Sequence, residues 1–361
     1  MRTFTGVDIV FRLLNGTLSG AQLETALTTD AALYLGPWIE VLKAVELNAL
    51  INSPTALTAM FGSSTALSNL FDIAGAELAA SDTATELISN TSSAILTVVT
   101  TPAYLDYWNN TPANKARMQA RINASGSKLV RTAFTSSGTW TLPVGGVVGF
   151  SAFAQGGGGN GGASGNSGQA NAGGGGSGGE SKSISLTSGL PVGNLTITIG
   201  TAGAVSTVGA ILSAAAGATG ATGGGTSATG GGTDSGTIYD TDPANAIWQH
   251  TASKQGASGG VATGSNGDFD GYAGGNGLTG AGGAGGLNDS GSALGGAAGT
   301  GFGSGGGGGS GFWPGAAAVT AGSAASANTG SGGGGAGASA SATASGGAGG
   351  TGYIVVYAVK A

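Results

Sequence analysis

Gly271-Tyr-Ala-Gly-Gly-Asn-Gly-Leu-Thr-Gly-Ala-Gly-Gly-Ala-Gly-Gly286 decides how this chain folds, because glycine falls on every third position, 271, 274, 277, 280, 283 and 286. The same spacing runs through 156, 159, 162, 165 and 168, through 303, 306 and 309, resuming at 315, and through 346, 349 and 352. A left-handed helix of the polyproline II type has three residues per turn and no internal hydrogen bonds. A glycine at every third residue therefore bares one face, along which another such helix can approach and exchange backbone hydrogen bonds. With 8 Pro in the chain, a collagen triple helix is excluded.

Working outward, 67 of the 78 Gly lie in residues 150–361 and 11 in residues 1–149, so two regions with different physics share one chain of 361 residues. Ordering a glycine costs roughly 0.5–1 kcal/mol more than ordering an alanine, which over these tracts amounts to on the order of 30 to 70 kcal/mol. A small apolar core cannot offset that. The tracts are either a flexible tether or a dense hydrogen-bonded lattice. The strongly β-forming Tyr353-Ile-Val-Val-Tyr-Ala-Val359, which closes the sequence, argues for the lattice.

The net charge of −6 comes from 11 Lys plus Arg and 17 Asp plus Glu, without a run of either sign, so no nucleic-acid footprint is expected. There is no Cys and one His, which removes thiol chemistry and thiolate metal sites. Met1 to Val10 has Asp8 inside its apolar stretch and no small-residue cleavage site, so no secretory signal is expected, and no apolar run is long enough for a membrane span.

Residues 1–18 are expected to form a short extended or mixed attachment arm ending at the turn Asn15-Gly16. Residues 19–125 are expected to be helical. Ser19-Gly-Ala-Gln22 has capping-box form, and Pro37 suits the first turn of a helix carrying Ile39, Leu42, Val45, Glu46 and Ala49. From Ser53 a period of about ten appears, each unit opening on a capping residue: Ser53, Ser63, Ser81, Thr91, Thr101 and Thr111. A helix of under two turns is unstable alone, so neighbouring units or neighbouring chains must bury each apolar face. The reading is a stack of short helices that trimerises about a symmetry axis. Residues 126–361 then switch to strands and glycine tracts, giving a multi-part α+β chain in which an antiparallel β-sandwich carries polyglycine-II-like helices.

Phe134-Thr-Ser-Ser-Gly-Thr-Trp-Thr-Leu-Pro-Val-Gly145, the strand running into Gln155-Gly-Gly-Gly-Gly159, Leu195-Thr-Ile-Thr-Ile-Gly-Thr-Ala-Gly203 and the closing Gly-Gly-Thr-Gly-Tyr-Ile-Val-Val-Tyr357 together resemble the glycine-rich domain of bacteriophage tail fibres and tail-tip adhesins, over residues 127–361. The Ser/Thr/Ala/Leu repeats before it are similar to phage fibre shafts. The resemblance implies a β-sandwich cap with packed polyglycine helices, a homotrimeric fibre or tip, and binding of a host surface polysaccharide or outer-membrane protein by loops at the distal end. It also implies attachment to other tail or baseplate proteins through the N-terminal region, and a virion location after assembly in the host cytoplasm. Residues 237–250, almost free of glycine, depart from the family pattern.

In so bare a scaffold the large side chains stand out. Tyr239, Trp248, His250, Phe269, Tyr272 and Trp313 are the candidate receptor-binding residues, since rigid amphipathic aromatics on loops give contact area at low entropic cost. The same residues can fill gaps between thin helices, and for Phe302 and Phe312 that reading leads. Asn266, Asp268 and Asp270 open like a calcium loop, but Gly277 stands where an EF-hand would place its bidentate Glu, so a polar turn is the default and no cofactor is expected. The carboxylate pairs Asp240/Asp242 and Asp268/Asp270 leave a glycan depolymerase open as an alternative to a non-enzymatic role. A purely architectural tail, baseplate or capsid-decoration protein is the other alternative. An ice-binding protein is a weaker one, because it leaves the helical half without a place.

Overall fold

A computed structural model describes residues 6–27, 44–166, 170–223, 228, 230–262, 269–289, 292–312, 318–339 and 342–361. The chain divides into two compact units. One comprises Met1–Arg131, Pro143–Phe150 and Tyr357–Ala361, the other Thr132–Leu142 and Ser151–Val356.

The first unit is built of short helices: α1 (Gly6–Leu14), α2 (Gly20–Thr25), α3 (Ala44–Ile51), α4 (Pro54–Phe61), α5 (Ser64–Ala80), α6 (Asp82–Asn90), α7 (Ser92–Thr100), α8 (Pro102–Asn109) and α9 (Pro112–Arg121). The expected extended arm is instead helix α1, whose Ile9, Val10 and Leu13 are buried while Phe11 stays 66% exposed. Apolar residues at i, i+1 and i+4 fit a helix face as well as a strand, and packing decided between them. The capping box forms as expected: Gln22 N–H donates to Ser19 Oγ at 3.3 Å and Ser19 N–H to Gln22 Oε1 at 2.9 Å. Of the helix expected to start at Pro37, residues 37–43 lie outside the described residues and α3 covers the rest.

Each of the six capping residues stands in extended conformation before a helix. Ser53, Ser63 and Ser81 accept from the N–H of Ala56, Ala66 and Ala84 at 3.3, 3.1 and 3.2 Å. Between 63 and 81 one unit of the period lacks its capping residue, and there the chain runs on as the single helix α5 with a kink at Ala74 (φ −125°). Leu57, Leu70, Phe71, Ile88, Val98 and Leu105 are fully buried within one chain, so these faces close on neighbouring repeats without a second copy. At the sheet edge of this unit, Asn123 (φ 66°) acts as a dummy strand residue: Arg131 N–H donates to its Oδ1 at 2.8 Å and its Nδ2 donates to Arg131 O at 2.9 Å.

The strands are β1 (Leu129–Phe134), β2 (Gly138–Trp140), β3 (Val147–Gln155), β4 (Gly165–Asn166), β5 (Ala170–Asn171), β6 (Ser181–Leu186), β7 (Leu195–Thr198), β8 (Ser206–Val208), β9 (Leu212–Ala214), β10 (Ala252–Lys254), β11 (Asn288–Asp289), β12 (Ser292–Ala293), β13 (Gly311–Phe312), β14 (Ala318–Val319), β15 (Ala338–Ser339) and β16 (Tyr353–Lys360). One sheet has the order β1-β16-β3-β6-β10 and a second β2-β7-β8-β9, the latter antiparallel throughout. Phe153, Ile197, Val208, Ile354 and Val356 are buried in the second unit. The mixed α+β class therefore holds.

Between the strands run the glycine tracts, and they are ordered by bonds between segments. Segment 303–310 shows the rule. Its N–H groups serve three other segments in rotation: Gly305 and Gly308 donate to Gly275 and Tyr272, Gly306 and Gly309 to Gly176 and Gly173, Gly307 and Ser310 to Ala297 and Leu294, all at 2.8–3.0 Å. Its carbonyls accept from three more: Gly303 and Gly306 from Ala257 and Gly260, Gly305 and Gly308 from Gly283 and Gly286, Ser304 and Gly307 from Gly332 and Gly335. Bonds to any one neighbour thus recur every three residues, and no backbone bond joins two residues of the segment itself.

Segments 173–180 and 330–338 follow the same rule, and the three bond to one another through Gly306 to Gly176, Gly176 to Gly333 and Gly335 to Gly307. All three are buried along their whole length. A Cβ on Gly306 would run into the Gly333 carbonyl, so a side chain is excluded there by backbone, not by taste in packing. At the sheet end Gly330 turns the chain with φ 60°, tucked against Gln155, whose Nε2 donates to Gly179 O at 2.8 Å.

Candidate functional site

The register of the lattice sorts the candidate residues into two places. Beside β3 and β6, Gly156 N–H bonds to Glu180 O; one turn on, Gly159 bonds to Ser177, and beyond that Gly162 bonds to Gly174, with Gly165 opposite Asn171 last. The end marked by 165–171 is therefore remote from that sheet. Gly309 and Ala336, both bonded to Gly173, belong to the same far end, whereas Gly330, bonded to Gly179, belongs to the sheet end.

Tyr239, Trp248 and His250 lie at the sheet end, on the glycine-poor excursion of residues 237–250. Trp248 is fully buried with its indole N–H on Ser185 Oγ at 3.0 Å, which corrects its reading as a displayed contact residue. Its flanking Ala246, Ile247 and Gln249 are fully buried as well, because the excursion is sewn to the strands: Ser151 Oγ donates to Gln249 O at 2.7 Å and Ser183 Oγ to His250 O at 2.5 Å. Tyr239 and His250 are half-buried and meet edge to face, ring centroids 4.8 Å apart. Asp240 and Asp242 close the turn, Oδ1 of Asp240 accepting from Asp242 N–H at 3.0 Å and Oδ2 of Asp242 from Asn245 Nδ2 at 2.9 Å. Asp240 thus holds backbone and Asp242 a neighbouring side-chain amide, the ordinary work of Asp in a turn.

Phe302, also at the sheet end, stacks between Phe153 and Tyr353 at 5.8 Å from each, as a plug. Phe269 sits at the far end, where it pairs with Gly311 and packs half-buried on Ala172, Ala262 and Ala338. Around it the far end is knitted by two-residue ladders: β4 with β5 and β11 with β12 antiparallel, β12 with β14 and β13 with β15 parallel.

Tyr272 leaves this rim 61% exposed. Gly271 N–H donates to Gly286 O at 2.8 Å, and since the two segments run antiparallel (Gly274 bonds to Gly283) Tyr272 and Leu287 lie on adjoining segments on opposite sides of that bonded pair, Leu287 58% exposed. Asp270, exposed, accepts Asn288 N–H on Oδ1 at 2.7 Å, so a bond that orders the rim also fixes a carboxylate there. Sequence reasoning found Tyr272 and Asp270 and missed Leu287 and Asn288. The available signal was the end of the glycine triplet after 286, where Leu287 and Asn288 precede Asp289 at the position the next glycine would take.

Trp313, Asn266 and Asp268 lie outside the described residues. Among the described residues no group of three His, Asp or Glu could hold a metal ion, and no helix is long and apolar enough to cross a membrane. No protein-family model matches the chain, and no curated protein matches it.

Proposed function

We propose that this chain is a structural virion protein, the adhesin of a bacteriophage tail fibre or tail tip, which contacts the host surface through the far end of its glycine unit. The observation that carries the reading is the gathering of the segment ends. Described positions 166 and 170, 262 and 269, 289 and 292, 312 and 318, and 339 and 342 all lie at the rim around Phe269, so ends from widely separated parts of the sequence are gathered there. Residues presented on a rigid scaffold are where recognition is usually built.

The three-residue period of the bonds between segments supports reading the tracts as polyglycine II helices. Such a block is stiff because the backbone groups of its buried segments are paired between segments instead of solvated. The resemblance over residues 127–361 supports a phage assignment, and attachment to other tail proteins through the N-terminal region goes with it. The homotrimer rests on the fibre resemblance alone, since the helical repeats need no partner to bury their faces.

The test is saturable binding of the labelled, purified chain to a panel of bacterial strains, alongside the double variant Tyr272→Ala, Leu287→Ala. Adhesin function predicts binding to at least one strain, lost in a variant that melts at the parent temperature. Binding to none overturns the proposal in favour of an architectural role, and release of reducing ends from a bound polysaccharide revives the depolymerase.

A further inference from the structure

Charge narrows what the far end can hold. Between Lys254 and Lys360 the sequence contains no Lys, Arg or His, and the remaining far-end stretches, 163–172 and 222–230, contain none either. The charged residues in those stretches of sequence are Asp268, Asp270 and Asp289. A phosphorylated or uronic-acid polymer approaching this rim would meet carboxylates with no counter-charge, which costs binding at contact and slows encounter.

What this end does offer is an exposed aromatic ring, Tyr272, two residues along the chain from an exposed carboxylate, Asp270, whose Oδ1 is fixed by the Asn288 N–H in a stretch of sequence without Lys, Arg or His. A carboxylate accepts strongly from hydroxyl groups, and a flat ring offers an apolar face to C–H groups. Protein partners usually need a buried apolar centre within an interface of about 1,000 Å² or more. Among the described residues of this end the exposed large apolar side chains are Tyr272 and Leu287, on either side of one bonded pair, with Phe269 half-buried, and these do not make one.

Building on the adhesin reading, we infer that the far end binds an uncharged saccharide of the bacterial envelope, with Tyr272 as the stacking platform and Asp270 as acceptor of the sugar hydroxyls. Acidic polysaccharides are excluded by the same carboxylates.

The experiment uses the full chain and envelope fractions from a strain that binds it. Periodate oxidation, which cleaves vicinal diols, is expected to abolish binding, and proteinase treatment to leave it. Apparent affinity should change by less than about twofold between low and high sodium chloride, because no ion pair is there to be screened. Polygalacturonate should not compete. Tyr272→Ala should weaken binding at least tenfold, and Leu287→Lys should confer a new, salt-sensitive affinity for polygalacturonate that the parent lacks. Binding that survives periodate but not proteinase, that collapses in salt, or that polygalacturonate displaces overturns this inference and leaves the adhesin reading intact. Failure to bind any strain overturns both.

Discussion

The helical unit and the glycine unit solve one problem in opposite ways. Both are built from repeats too short to stand alone, ten residues in the first and three in the second. In the helices the backbone bonds within each repeat, and side chains such as Leu70, Phe71 and Trp108 fill the space between repeats. In the lattice the assignments are exchanged: each segment leaves its backbone unpaired within itself, and the space between segments is closed by N–H and C=O groups at 2.7–3.3 Å. A core of side chains tolerates rearrangement of volume, whereas a core of backbone has no flexible atom to give way.

The largest expected effect follows from that contrast. Gly306→Ala drives a methyl into the Gly333 carbonyl, and moving either segment breaks bonds to Gly176, Gly335 and Gly260 at once. Each buried polar group left unmatched costs about 1–3 kcal/mol, so a loss above about 4 kcal/mol is expected. Denaturant unfolding followed through the buried Trp248 measures it. Ala324→Ser, on an outward row of segment 318–328, should change stability by less than about 0.5 kcal/mol. Equal effects at the two positions would mean that the tracts are not a lattice.

Leu70→Ala probes the other kind of core. The residue is fully buried in α5, and truncation should cost about 2–5 kcal/mol according to how far neighbours relax into the cavity. The readout is Trp108, which lies in the same cluster, 6.3 Å from Phe71 in an edge arrangement. Phe71 and Tyr104 complete it at 5.1 Å. Leu70→Met should recover most of the loss, a rescue that no substitution of Gly306 can provide.

How much of this was legible in sequence also divides by region. Ser53, Ser63, Ser81, Thr91, Thr101 and Thr111 marked helix starts because capping is local chemistry between a side chain and the next turn. The missing seventh start left no trace, since Ile73 and Ala74 cap nothing and the kink there comes from packing, with Gly75 pressed against the Tyr107 ring. Residues 1–18 read as an extended or mixed arm because Ile9, Val10 and Leu13 suit either element, and tertiary burial made residues 6–14 a helix. In the glycine unit the period announced a lattice, but period says nothing of which segment lies beside which. Trp248 therefore looked displayed, and the rim of Tyr272, Leu287, Asp270 and Asn288 could not be assembled from spacing.

A smaller effect sits where α2 meets the start of α5. Glu24 accepts from the Ser63 hydroxyl, from Thr65 N–H at 3.1 Å and from the Thr65 and Ser64 hydroxyls at 2.8 and 3.2 Å. These bonds, the Ser63 hydroxyl foremost, hold its carboxyl below the usual range although burial pushes the other way. With the folded value depressed, the contribution is complete above the unfolded carboxylate pKa of about 4.3 and is lost as pH falls through the folded value. Glu24→Gln should cost about 1 kcal/mol at neutral pH, in line with loss of a helix cap, and the two proteins should converge in acid. A difference that persists at low pH would show that shape, not charge, is what Glu24 supplies.

The smallest effect is confined to alkali. The Tyr104 hydroxyl donates to Asp72 Oδ1 at 2.7 Å from the edge of the aromatic cluster, and burial, aided by that acceptor, pushes its pKa up to about 12. A raised folded value means that the stabilisation is fully present below the unfolded tyrosine pKa of about 10 and disappears as pH rises through 12. Tyr104→Phe keeps the ring on Phe71 and removes the bond to an exposed carboxylate that water can serve instead, so the variant should lie within about 1 kcal/mol of the parent at neutral pH. Between pH 10 and 12 the parent should lose its advantage while the variant does not. Ultraviolet absorbance should show one tyrosinate fewer appearing near pH 12 in the variant. The lattice offers no counterpart to this titration, because its buried segments contain only Gly, Ala and Ser, apart from the buried Glu180 where segment 173–180 meets β6. An alkaline transition that spared the glycine unit and opened the helical one would therefore separate a core held by side chains from a core held by backbone.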